Sequence, residues 1–439
     1  MAGRRFKLAS LVLVIALLFG STTAQAQTTG ANVIVHLTPL GTINQVLRTL
    51  TGGTVLDSIP GADIYLINVP NISLVQNLLG TSSLLLQTLG IDWLELNKGV
   101  VEPGHVRLGI LQKSGAADWY KNQPSFVLIR AGQASPYSTG RGVVVADINA
   151  KVDVGHPSLI GHLTSGYDFV STRPAGSAVL NQSSASFLDQ SSGSFLDQSS
   201  GSFLDQSSGS FLDQSSASFL DQSSASFLDG SANPAYSHGT LTVGVIAAMA
   251  PDSMIMPLRA FDDNGDADYF ILAKAIRYGA DHGAQVINMS FGTLDYSKAM
   301  KNAVDYAKGK GIILVASAGN NNTSAPQYPA AFSGVLTTAA TDLTDVKATF
   351  SNYGSSVFID APGVNLILPY PGGYYALVSG TSFSSPEIAA TAALIRSIRT
   401  TGISNSIANA GVNIDSRNPH YRYQLGNGRI DVLRAVKPY

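Results

Sequence analysis

The 439-residue chain contains no cysteine. Disulfides, zinc–thiolate centres, iron–sulfur clusters and thiol catalysis are therefore excluded, and a chain of this length must rely on its buried core for stability. Charge is scarce too, at 13% of residues, about half the ~25% of a typical soluble domain. The 27 basic and 29 acidic side chains nearly cancel, to a formal net charge of −2. No net field draws the chain to nucleic acid or to an anionic membrane. No apolar run reaches the ~18 uninterrupted residues of a membrane span. The 43 glycines and 19 prolines follow no collagen-like period and fit a loop-rich α/β enzyme. What is abundant is apolar: 45% of residues are hydrophobic, enough for a large core and about two or three domains of ~100–200 residues.

Residues 1–26 read as a secretory signal peptide. Arg4, Arg5 and Lys7 precede an apolar stretch over 8–19, and Ala24-Gln25-Ala26 puts small residues at the cleavage positions. The expected product is soluble and secreted, extracellular or, behind an outer membrane, periplasmic. Residues 31–103 read as a small α+β domain. Runs 33–37, 62–69 and 93–96 are strand-like, with 54–59 offering a further strand. Ile43, Val46, Leu47 and Leu50 fall at helical spacing, and 74–79 and 84–89 continue that pattern. Residues 104–140, punctuated by Gly, Ser and Pro, read as a connector. Over 141–439, short continuous apolar strands (143–146, 254–258, 286–289, 312–316, 335–339) alternate with helical patterns (269–282, 296–308, 383–399). That alternation predicts a parallel sheet with helices on both faces.

One insertion, 183–230, breaks the pattern. Phe187, Phe195, Phe203, Phe211, Phe219 and Phe227 recur every eight residues in units such as Ser-Phe-Leu-Asp-Gln-Ser-Ser-Gly. Near-identical copies cannot fill the distinct sites of a core, so a solvent-exposed tandem insertion is expected. A short β-solenoid is the structured alternative. The Asp ladder lacks the glycine-rich calcium repeat.

Four segments carry candidate chemistry. Asp147 ends the apolar run 143–146, and ligands and catalysts gather at the carboxyl ends of parallel strands. His238, beside Gly239, opens an apolar helix-like run, where the helix dipole favours the neutral imidazole that a general base requires. Ser382 lies in Gly380-Thr381-Ser382-Phe383-Ser384-Ser385-Pro386 at the start of another apolar helix, where backbone N–H groups can hold an oxyanion. Asn320 follows the strand 312–315 and brings a side-chain amide as a second oxyanion donor. Each alone has an ordinary structural explanation: a turn carboxylate, a core histidine, an N-cap. Together they give the chain order Asp…His…Ser.

At these residues the chain resembles the subtilisin-like (S8) serine peptidases, over roughly 135–439 outside the repeats. His238-Gly239-Thr240, Asn288-Met289-Ser290-Phe291-Gly292, Ser317-Ala318-Gly319-Asn320 and Gly380–Pro386 match family motifs. Gly426–Asp431 looks like the family's closing segment, with no further domain expected after it. The resemblance implies the three-layer subtilisin-like α/β fold, preceded by a ferredoxin-like α+β propeptide that serves as intramolecular inhibitor. It implies a secreted serine endopeptidase cleaving polypeptides through an acyl-enzyme. Ser382 would be nucleophile, His238 base and then acid, Asp147 the carboxylate orienting His238, and Asn320 the oxyanion donor. Ser290, Phe291, Gly292, Ala318 and Gly319 would bind substrate. No cofactor is required for the chemistry, and no calcium ligand set is readable, although structural calcium is common in the family. Cleavage is expected between propeptide and peptidase, within 98–140.

Two departures stand out. The family's Asp-Thr-Gly or Asp-Ser-Gly is here Asp147-Ile148-Asn149-Ala150, and the next family element, Val152-Asp153-Val154-Gly155-His156-Pro157, arrives two residues late. Asp153 matches a non-catalytic loop position. The distance from Asp147 to His238 is also stretched by the repeats. An inactive binding protein displaying the repeats is the competing expectation. A serine-carboxyl peptidase would need a Glu where His238-Gly239-Thr240 stands. Deleting 186–229 is expected to leave hydrolysis of a short peptide within a few-fold. Equivalent copies hold no unique catalytic position, and a loop adds only logarithmic closure entropy. Loss of peptidase activity in a folded deletion variant would put the repeats in the site.

Overall fold

The structure is a computed structural model and describes residues 30–111, 119–172 and 237–437. The expected signal peptide and the octad repeats lie outside the described residues. Residues 30–98 form one compact unit and 99–437 another.

In the small unit, β1 (Ala31–Leu37), α1 (Ile43–Thr49), β2 (Thr54–Ile59), β3 (Ile64–Val69), α2 (Ile72–Leu79), α3 (Ser83–Thr88) and β4 (Ile91–Leu96) follow in order. The strands form an antiparallel sheet in the order β2-β3-β1-β4, the ferredoxin-like arrangement. Helix starts are set locally. Thr42 Oγ1 accepts from Gln45 N–H and Asn71 Oδ1 from Ser73 and Leu74 N–H, satisfying donors that the first turn leaves open. Val33 and Val35 face Val46, Leu50, Leu74 and Leu78 in the core.

The large unit is built on seven parallel strands. They are β7 (Val144–Asn149), β8 (Tyr167–Asp168), β9 (Met254–Arg259), β11 (Val286–Met289), β12 (Ile313–Ser317), β13 (Val335–Thr341) and β14 (Ile359–Pro362), in the spatial order β14-β13-β12-β11-β7-β9-β8. Helices α4 (His238–Met249) and α7 (Thr381–Ile398) pack on one another and on one side of the sheet, while α5 (Tyr269–Asp281) and α6 (Lys298–Gly309) pack together on the other. Helix α4 is enclosed on every side, with only Ala248 escaping burial, and is apolar apart from His238, Thr240 and Thr242. Helix α7 is buried without interruption from Thr381 to Ile395.

Residues 99–140 belong to the large unit: the connector expected over 104–140 and the last residues of the small domain expected over 31–103 both carry structure of that unit. β5 (Gly99–Val101) pairs antiparallel with β10 (Asp266–Asp268). β6 (Val106–Leu111) joins an antiparallel sheet with β15 (Leu366–Tyr370) and β16 (Tyr374–Ser379). Tyr120, Phe126 and Ile129 then enter the main core, which ties this stretch to the large unit.

Helix α4 passes so close to β15 that a Cβ on Gly244 would lie 2.4 Å from Pro369 Cδ and 2.6 Å from its Cγ. Gly244→Ala is therefore expected to destabilise the protein by about 1–3 kcal/mol through overpacking. Denaturant unfolding in a Ser382→Ala background measures it, and an unchanged midpoint would contradict the contact.

Candidate active site

The site gathers at the carboxyl end of β7. Side chains two apart on a strand share a face, so Asp147 and Asn149 point the same way. The parallel register sets Asn288 of β11 beside Asp147, and Asn288 Nδ2 donates to Asp147 Oδ1 at 2.7 Å. Thr242, one turn after His238 on α4, donates to Asp147 Oδ2 at 2.8 Å. Asn149 Nδ2 donates to Asp147 Oδ2 at 3.2 Å and to Thr242 Oγ1 at 2.9 Å. Both amide hydrogens of Asn149 are thus committed, and its Oδ1 turns to His238 Nδ1 at 2.7 Å. Facing a carbonyl oxygen, Nδ1 carries the proton and Nε2 is left bare, which is the base-competent tautomer.

Asp147 itself does not hold His238. The carboxylate expected to orient the imidazole is one residue removed from it, acting through Asn149. β7 continues through buried Ile148 and Asn149, so the strand's carboxyl edge lies two residues beyond Asp147. That shift equals the lateness of Val152–Pro157. Asp153, in the loop that follows, accepts from Gly155 N–H at 3.1 Å and Gly372 N–H at 2.8 Å and braces the turn.

Ser382 occupies the second position of α7. Pro386 has no N–H to take the Ser382 carbonyl, and that carbonyl instead accepts from Ser290 Oγ at 2.9 Å. Ser382 Oγ is buried 3.5 Å from the Ser290 carbonyl oxygen, and His238 Nε2 is buried without a hydrogen-bond partner. Asn320 is clamped: its Oδ1 accepts from Thr381 N–H at 2.9 Å and Thr381 Oγ1 at 2.8 Å. This aims Nδ2 at the Gly104 carbonyl oxygen, 3.1 Å away.

The stretch 99–105 is the feature that motif reading missed. The β5–β10 pairing extends to a bond from Glu102 N–H to the Gly265 carbonyl. Beyond it, Glu102 Oε1 lies 2.9 Å from His238 Nδ1, both side chains buried, and accepts from Ala150 N–H at 3.3 Å. His105 packs on His238 and Phe383, with ring centroids 5.5 and 5.4 Å away. Among the expected substrate-binding residues, Phe291 is buried against Phe261 and Ser290 braces α7. Gly292 and Gly319 flank Gln327: a Cβ on either would lie 3.0 or 2.1 Å from Gln327 Oε1, and Gly319 has φ +103°. Asn352 Nδ2 donates to the carbonyl of Ala318, their neighbour. The short polar strand β10 carries no hydrophobic pattern that could have announced it.

Burial raises Asp147 from its ordinary range to about 6, against the hydrogen bonds from Asn288 and Thr242, the nearby His238 and the bond from Asn149. Burial likewise lowers His105 to about 3, helped by His238 and Arg107. Among the described residues no group of three or more His, Asp or Glu is placed to hold a metal ion. No described helix is long and apolar enough to cross a membrane.

Because folded Asp147 holds its proton to higher pH than in the unfolded chain, the native state binds more protons between about pH 4 and 6. Stability from this group is present below that window and is lost as pH rises through it. Unfolding free energy relative to Asp147→Asn, both in a Ser382→Ala background, should fall across pH 4–6 by on the order of 1–3 kcal/mol and then level off. A pH-independent difference would contradict the raised carboxyl.

Comparisons with known proteins bear on the family and the fold. The model of the subtilase family matches residues 140–413. Thermitase of Thermoactinomyces vulgaris is 30% identical over 321 residues, 70% of this chain and 94% of thermitase. The thermophilic serine proteinase of Bacillus sp. strain AK1 is 39% identical over 212 residues, 46% of this chain; the match spans about half of that relative, 52% of its length. Fervidolysin from Fervidobacterium pennivorans, a keratinolytic enzyme related to subtilisin, shares the fold with TM-score 0.66 and 22% identity, over 95% of this chain and 62% of its own. So does the epidermin leader peptide processing serine protease of Staphylococcus aureus, with TM-score 0.65 and 18% identity over 93% and 98% of the two chains. The chain belongs to the subtilase family.

Proposed function

We propose that the chain is a secreted serine endopeptidase that matures by cutting itself between Gly104 and His105. The observation that carries this reading is the bond from Asn320 Nδ2 to the Gly104 carbonyl oxygen. An amide at hydrogen-bond distance from a peptide carbonyl beside a buried serine is what an oxyanion hole presents to its substrate. The antiparallel β5–β10 pairing supports it, since an added strand is a common way to hold an extended peptide.

In this reading Ser382 Oγ turns about its single side-chain torsion from the Ser290 carbonyl towards His238 Nε2. Oγ bonds to the Gly104 carbonyl carbon while its proton passes to Nε2. The carbonyl electron pair moves onto oxygen, where Asn320 Nδ2 and the Ser382 N–H receive it. Collapse breaks the Gly104–His105 bond, and His238 gives its proton to the departing His105 nitrogen, leaving Gly104 esterified to Ser382. Water then gives a proton to His238 and hydroxide to the ester carbon, and Ser382 recovers its proton. Polypeptides are the substrates, the domain over 31–103 acts as the propeptide inhibitor and leaves with Gly104 at its end, and Gln327 lies between Gly292 and Gly319.

The Ser382→Ala chain should accumulate uncut, whereas the wild-type product should begin at His105 by N-terminal sequencing. Asn320→Ala should slow cleavage by roughly 10²–10³-fold, the magnitude found for the oxyanion amide of subtilisin itself. A wild-type chain that stays uncut, with Ser382 unlabelled by a fluorophosphonate, would favour the inactive binding protein. Cutting of Ser382→Ala at the same bond would assign maturation to another protease.

A further inference from the structure

The subtilase framework here places an amide, Asn149, against His238 Nδ1. An amide oxygen fixes the tautomer but brings no charge to balance the imidazolium that forms when His238 takes the Ser382 proton. The carboxylate that does touch Nδ1 is Glu102 Oε1, at 2.9 Å. Glu102 is not part of the peptidase framework: it lies two residues before Gly104, on the segment paired with β10. Its side chain is 4% exposed, and Oε2 has no hydrogen-bond partner. A carboxylate is costly to bury unless its charge is used by a neighbour, and the nearest cationic partner here is the imidazole.

We propose that Glu102 is a positioning residue contributed by the substrate segment, completing in cis the acid that the framework lacks. His238 then has its tautomer set by Asn149, Asn149 has its orientation set by Asp147 and Thr242, and the balancing charge arrives with the peptide to be cut. After cleavage Glu102 leaves on the N-terminal product. The processed enzyme is therefore most active on peptides that replace it, those with Glu two residues before the residue donating the scissile carbonyl, as in Glu102-Pro103-Gly104. This rests on the peptidase reading above and names the substrate class of that site.

The test follows self-cleavage of the full chain after refolding. Removing one partner of a buried charge pair leaves the other uncompensated, so Glu102→Gln should slow first-order self-cleavage by roughly 10–10³-fold, with Glu102→Asp between it and wild type. Asn149→Asp puts a carboxylate on Nδ1 from the framework and should restore self-cleavage in the Glu102→Gln chain. A packing role for Glu102 would not be rescued in this way. The self-processed enzyme is then given Val-Val-Glu-Pro-Gly-His-Val-Arg and its Glu→Gln counterpart. The expected difference lies in kcat more than KM, and it vanishes in Asn149→Asp. Equal self-cleavage by wild type and Glu102→Gln overturns the proposal, as does a Glu102→Gln chain that labels with fluorophosphonate yet is not rescued by Asn149→Asp. Failure of the wild type both to cut itself and to label at Ser382 would instead overturn the peptidase reading.

Discussion

The orientation of one side-chain amide governs what the rest of the site can do. Asn149 can present either oxygen or N–H to His238, and only the oxygen leaves Nε2 free to accept a proton. In serine proteases with an engineered Asp→Asn change the amide gives the wrong tautomer and activity collapses. Here the choice is removed because Asp147 Oδ2 and Thr242 Oγ1 take both N–H groups, and the Ala150 N–H donates to Oδ1 at 2.9 Å. The arrangement needs Asp147 ionised and buried at once. Its three donors oppose a desolvation that still lifts its carboxyl to about 6.

An ordinary Asp in the third position performs two tasks together, setting the tautomer and balancing the imidazolium. This site divides them. Asn149 performs the first, held by Asp147, and charge is left to whatever else reaches Nδ1. Glu102 occupies that place, and His105, the next ring on the chain, does not compete with it. Burial, helped by His238 and Arg107, lowers His105 to about 3, which disfavours a second cation against the imidazolium.

Contiguous motifs made most of this legible. Gly380–Pro386, Asn320 after β12 and His238-Gly239-Thr240 are local patterns, and local patterns survive in sequence. The small α+β unit was readable from periodicity, including the further strand at Thr54–Ile59, and its ferredoxin-like arrangement from the family resemblance. The third residue of the site was not, because the apolar run ends at Ala146 and the first carboxylate after it invited assignment. Strand alternation puts residues 147 and 149 on one face, so burial alone cannot separate them. The two-residue lateness of Val152–Pro157 was the available sign. Glu102 had no sign at all, since its role depends on a contact between distant parts of the chain, made through the polar strand β10.

The residues that break local rules are the ones that build the site. Pro386 inside α7 costs a helix its Ser382 carbonyl bond, and the freed carbonyl ties the nucleophile's turn to Ser290. His238 Nε2 is buried with nothing to bond, an arrangement that costs stability unless a hydroxyl or a departing amine is meant to arrive there. Asp147 and Glu102 are carboxylates in a protein sparing of charge, and both are spent on one imidazole. Their placement, Asp147 fixed in the sheet and Glu102 on the strand to be cut, separates what the framework holds permanently from what it receives with each peptide. Selectivity for the peptide and completion of the acid then rest on the same ion pair.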